Sequence, residues 1–72
     1  MSKADKMFEE LGYKKSQDDV CVLYEKEDED IDALDVVFYF ETENIFIDAY
    51  DVVVDKKELK AIAEKAKEIG WL

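Results

Sequence analysis

Apolar positions recur at helical spacing near both ends of the chain and alternate with polar ones in the middle. Ala4, Met7, Phe8 and Leu11 fall at i, i+3, i+4 and i+7, the stripe of an amphipathic helix. Ser2 precedes the stripe with Asp5 three residues on, capping-box spacing with a shorter acid. Gly12 stands where a left-handed residue stops a helix, and Tyr13 follows as the apolar residue that packs back. The spacing predicts a helix over 2–11. A second helix, over 55–69, repeats the grammar. Asp55 and Glu58 form its cap pair, Leu59, Ile62, Ala63, Ala66 and Ile69 its stripe, and Gly70 and Trp71 its stop. Glu10-Leu11-Gly12-Tyr13 and Glu68-Ile69-Gly70-Trp71 share one pattern, read here as the same Schellman-type stop used twice rather than as a duplication.

Between the helices the period changes to two. Residues 13–16 and 20–26 flank Gln17-Asp18-Asp19, which is turn chemistry, so a hairpin is expected there. Residues 34–41 and 44–50 read as two further strands. A tight turn at Thr42-Glu43 would pair Phe40 with Ile45, Phe38 with Ile47 and Val36 with Ala49, an all-apolar face for both helices to cover. The expected fold is therefore a single α+β domain over 1–72. Its order is helix, two β-hairpins, helix, with a four-stranded antiparallel sheet carrying both helices on one face. The opposite face of the second hairpin carries Asp35, Val37, Tyr39, Phe46, Asp48 and Tyr50. A solvated sheet face is ordinarily polar, so Val37, Tyr39, Phe46 and Tyr50 are candidate contact residues.

Charge adds a direction to this picture. The 72 residues carry a formal net charge of −10 and no His. From Ser16 to Asp55 there are fourteen acids and one base, Lys26, whereas the two ends are nearly balanced. Such a field repels phosphate backbones and anionic lipid, so direct nucleic-acid or membrane binding is not expected. Glu25, Glu27, Asp28, Glu29, Asp30, Asp32, Asp35 and Asp48 form a candidate acidic surface. The 49% hydrophobic content is too high for a disordered chain.

Little catalytic chemistry is available. Asp28, Asp30 and Asp32 match positions 1, 3 and 5 of a calcium loop, but Ala33 replaces its glycine and Tyr39 its bidentate glutamate. Cys21 has neither a His nor a second Cys to work with and reads as a small core residue. The only two glycines are helix stops, so no glycine-rich loop can cradle phosphate. No enzyme, cofactor or metal site is expected on this inventory. With no membrane-length apolar run and no apolar stretch after the first residues, a cytoplasmic protein is expected.

Met7-Phe8-Glu9-Glu10-Leu11-Gly12-Tyr13-Lys14, with Glu58-Leu59-Lys60-Ala61-Ile62 and Glu68-Ile69-Gly70-Trp71, resembles a group of short proteins encoded in phages and prophages of Gram-positive bacteria. The likeness spans nearly the whole length. It implies an accessory phage protein in the bacterial host cell that binds a host protein, and it carries over no functional residue. The sequence thus leads first to a small acidic interaction module, binding a protein partner or forming a homodimer through its outer sheet face. An acidic nucleic-acid mimic that inhibits a DNA-binding enzyme, of anti-restriction or anti-CRISPR type, is the alternative, and an enzyme or metal binder the third.

Overall fold

The computed structural model describes residues 2–27, 33–50 and 53–72. In chain order they form α1 (Lys3–Glu10), β1 (Lys14–Gln17), β2 (Cys21–Glu27), β3 (Ala33–Tyr39), β4 (Asn44–Tyr50) and α2 (Lys56–Glu68). The strands make one antiparallel sheet in the order β1-β2-β3-β4. The helices pack on one face of it, giving an α+β fold.

Both helices begin and end as their sequences dictate. Ser2 accepts the N–H of Asp5, and Asp55 accepts those of Lys57 and Glu58, which satisfies donors the first turn leaves free. At the other ends Tyr13 N–H reaches Phe8 C=O at 3.0 Å, and Trp71 N–H reaches Ala66 C=O at 2.8 Å. Gly12 and Gly70 sit at φ 94° and 84° to make those bonds possible. Each stop delivers an aromatic ring to the core. Glu58, the other half of the cap pair, turns inward to accept the Tyr13 hydroxyl at 3.4 Å. Burial, then the Glu58 charge, push the Tyr13 hydroxyl well above the usual phenol range.

The core lies between α1 and the first three strands. Phe8 stacks on Tyr24 with centroids 3.8 Å apart and meets Tyr13 edge-on at 5.3 Å. Val22, Leu34, Val36 and Phe38 complete the sheet side, and Ala61 and Ile62 come from α2. The helices run antiparallel. Glu68 at the end of α2 accepts the Ala4 N–H at 2.8 Å, and Lys3 at the start of α1 reaches Glu64 at 3.9 Å.

The second hairpin departs from its expected register. Phe38 faces Ile45, Val36 faces Ile47 and Leu34 faces Ala49, a slip of two residues that leaves every side chain on its predicted face. Strand β3 ends at Tyr39 rather than residue 41, and Phe40–Glu43 make the turn. A two-residue turn at Thr42-Glu43 would need positive φ at Thr42 in either favoured type, and at Glu43 too in one of them, which a β-branched Thr resists. The longer turn asks it of Glu43 alone, at φ 54°.

Candidate functional site

The register sorts the outer face of the sheet into rows that cross the strands. One row is Ser16, Leu23, Val37 and Phe46; the next is Lys14, Glu25, Asp35 and Asp48. Neighbouring positions in a row lie about 4.8 Å apart. An apolar strip therefore runs beside three carboxylates on three adjacent strands. Leu23 and Val37 are half-buried, while Phe46 at the open end is 55% exposed. Above the apolar row stand Cys21, Tyr39 and Asn44, with Tyr39 37% exposed.

Of the candidate contact residues, Val37 and Phe46 meet directly and Tyr39 stands two positions along β3. Tyr50 closes β4 opposite Ala33. Of the candidate acids, Glu25, Asp35 and Asp48 are brought into one line. Glu27 ends β2, and Asp28, Glu29, Asp30 and Asp32 lie outside the described residues, and with them the three aspartates of the calcium-like loop. Sequence reading missed Leu23. Its alternation within residues 20–26 already put it opposite in parity to Val22 and Tyr24, but only the β2–β3 register sets it against Val37.

Cys21 corrects an expectation. It is half-exposed on the outer face and not in the core. Burial, then the charge of Asp18, push its thiol up, which disfavours the thiolate that reacts. Asp18 itself is held low by the backbone N–H groups of Val20 and Cys21. Those bonds, at 2.8 and 3.0 Å, shape the β1–β2 turn.

Like charges placed directly opposite on neighbouring strands are destabilising. Asp35 has one on each side. Asp35→Asn is expected to raise the melting temperature by about 2–8 °C at low salt, with the gain shrinking as salt is added. A melt that drops instead would show that the carboxylates are not in conflict.

A second polar cluster lies under the helices. The Asp5 carboxylate accepts from the Tyr24 hydroxyl and from Lys15 Nζ at 2.8 Å, with Lys65 Nζ 3.5 Å away. Burial works against the Asp5 charge, but the Lys15 and Tyr24 hydrogen bonds and the Lys65 charge overcome it and hold its pKa at about 2. Burial, then the Asp5 hydrogen bond and charge, drive the Tyr24 hydroxyl far above its ordinary value. With the acid held charged and the phenol held neutral, no proton passes between them near neutrality. The Tyr24 ring and the Lys65 side chain are both buried, so the cluster ties α1, β1, β2 and α2 together.

Among the described residues, no group of three or more Cys, Asp and Glu side chains is placed to hold a metal ion. No described helix is long and apolar enough to cross a membrane. No protein-family model, no curated protein and no solved structure matches this chain.

Proposed function

We propose that this protein is a small interaction module whose outer sheet face binds a protein partner. The carrying observation is the juxtaposition of the Leu23–Val37–Phe46 row with the Glu25–Asp35–Asp48 row. Three aligned carboxylates cost stability, and a domain of this size has little to spare. A partner that lays an apolar side chain on the first row and basic side chains along the second would offset that cost and account for both. Two copies stacked face to face about an axis along the strands would set one carboxylate row against the other, with only Lys14 at the end of each row to answer three acids, so this face suits a basic heterologous partner better than a second copy. The resemblance of the chain ends to phage-encoded proteins supports a host protein as that partner and the bacterial cytoplasm as the place. We read the chain as a binder without catalytic activity, since its polar cluster under the helices holds the acid charged and the phenol neutral, and its thiol is kept protonated.

The test is capture from bacterial lysate with quantitative mass spectrometry. A partner held by the wild type should be lost with Val37→Ser/Phe46→Ser, and weakened at least about tenfold with Glu25→Gln/Asp35→Asn/Asp48→Asn. Binding that survives both variants would overturn the assignment of this face. The carboxylate row also favours a second reading, a mimic of the nucleic-acid backbone. That reading requires the captured partner to be a DNA-binding protein released by duplex DNA and by modest salt. A partner indifferent to DNA excludes it.

A further inference from the structure

The fourth strand of the sheet is exposed on both faces and along its edge. The helices stop short of it: Ile45 and Ile47 point to the helix side yet remain 37% and 41% exposed, and Phe46 stands on the outer side. Beside Ile45 an open groove of about 500 Å3 runs along α2, lined by Leu59, Ile62, Ala63, Trp71 and Leu72 among others. Among the described residues no strand lies beyond β4.

The direction of the free backbone groups follows from one hydrogen bond. Phe40 N–H donates to Val20 C=O at 3.0 Å, so the pair Val20–Phe40 is of the bonded kind. Bonded and non-bonded pairs alternate in an antiparallel ladder. The even-numbered residues of β3 therefore bond to β2, and Asp35, Val37 and Tyr39 bond to Asp48, Phe46 and Asn44 of β4. Ile45, Ile47 and Ala49 are left with their N–H and C=O groups pointing out from the sheet.

Exposed edges are ordinarily guarded by lysine, proline, bulges or shortness. The opposite edge has two of these: β1 is four residues long and carries Lys14 and Lys15. Strand β4 has seven residues, Asn44-Ile45-Phe46-Ile47-Asp48-Ala49-Tyr50. None is Lys or Pro, and the register is unbroken along it.

We propose that β4 pairs antiparallel with β4 of a second copy, about a two-fold axis at Ile47, joining two sheets into one of eight strands. The strand is self-complementary about that residue. Ile47 meets Ile47 of the second copy, and Ile45 meets Ala49 in both directions, so the six outward N–H and C=O groups on each copy find partners. On the outer side Phe46 meets Asp48, which keeps the two Asp48 carboxylates from facing each other. A one-step shift of register either way sets Asp48 against Asp48 or shortens the overlap. The second copy also extends the apolar strip of Ile45 and Ile47, which one molecule leaves uncovered. The edge shares Phe46 and Asp48 with the outer-face rows but adds its strand in the plane of the sheet, which leaves that face open. Each copy carries a net charge of −10, so association tightens with salt.

Sedimentation equilibrium up to about 1 mM should show a reversible dimer that strengthens between low and high salt. Ile47→Pro removes an outward N–H without touching the β3–β4 ladder and should weaken the dimer at least about tenfold. Leu23→Ser, on the outer face away from the edge, should leave it unchanged. If Ile47→Pro disturbs the fold by circular dichroism, cross-linking decides. In a Cys21→Ser background, Phe46→Cys protein mixed with Asp48→Cys protein places two thiols in directly opposed, non-bonded positions with Cα atoms about 4.5 Å apart. The mixture should form disulfide dimers about ten times faster than either protein alone, where the thiols sit on a diagonal about 7–8 Å apart. A monomer at every concentration and salt overturns the proposal. So does a dimer that Leu23→Ser abolishes, or equal cross-linking in all three samples.

Discussion

Phe8→Ala is expected to remove a large part of the stability of this domain. Phe8 is 1% exposed, stacks on Tyr24 of β2 at 3.8 Å and meets Tyr13, just past the helix stop, edge-on at 5.3 Å. Truncating a buried Phe costs about 3–5 kcal/mol through lost transfer energy and the cavity left behind. The aromatic contacts add to that, since such pairs contribute about 0.5–1.5 kcal/mol beyond area. A domain of this length holds about 4–11 kcal/mol in all, so the loss is a large part of the total. The melting temperature should fall by at least about 12 °C. Phe46→Ala, at an exposed position of the same residue type, should move it by less than about 4 °C. Equal losses at the two sites would mean that the core does not lie where the rings meet.

Acid should remove about 2 kcal/mol of stability between roughly pH 4 and pH 2 through Asp5 alone. Its folded pKa of about 2 lies below the ordinary value of 3.8, so the folded state binds fewer protons than the unfolded one across that window. The contribution is complete above the ordinary value and is lost as pH falls through the folded one. The Asp5 side chain is 14% exposed and its Tyr24 and Lys65 partners are buried, while the Lys15 contact is open to solvent and is screened more. Asp5→Asn keeps the size and loses the charge that Lys15 and Lys65 face. It should be less stable than the wild type at pH 7 by about 2–3 kcal/mol, and the gap should close by pH 2. Urea unfolding of both proteins at pH 7, 4, 3 and 2 measures the difference directly. A gap that stays constant with pH would remove Asp5 as its source.

The two largest effects thus fall on the helix side of the sheet, while the proposed binding functions fall on the outer face and the edge. That separation has a practical result. Variants at Leu23, Val37 and Phe46, and at Ile47, probe binding without entering the Phe8–Tyr24 stack or the Asp5 cluster.

Local grammar carried much of this fold. The caps at Ser2 and Asp55 and the glycine stops at Gly12 and Gly70 involve residues a few positions apart, so sequence spacing alone locates them. The faces of β3 and β4 were legible for the same reason, because strand alternation has a period of two and survives even the two-residue slip. Turn geometry was harder, since Phe40–Glu43 and Thr42-Glu43 differ by a balance of backbone strain at two positions. What depends on distant residues was hidden. The Glu25–Asp35–Asp48 line needs two strand registers at once. The Asp5 cluster draws on Lys15, Tyr24 and Lys65, which are 10, 19 and 60 positions away. By itself, then, the sequence determined the helices, the two faces of the sheet and the acidic middle of the chain, all from local periodicity and charge. Only the tertiary structure decided which acids stand in a row, that Leu23 joins the apolar strip, that Cys21 faces outward, and that two helices cover three strands and leave β4 bare. Those outcomes rest on how strands pair and how far a short helix reaches across a sheet, and neither is written in the spacing of neighbouring residues.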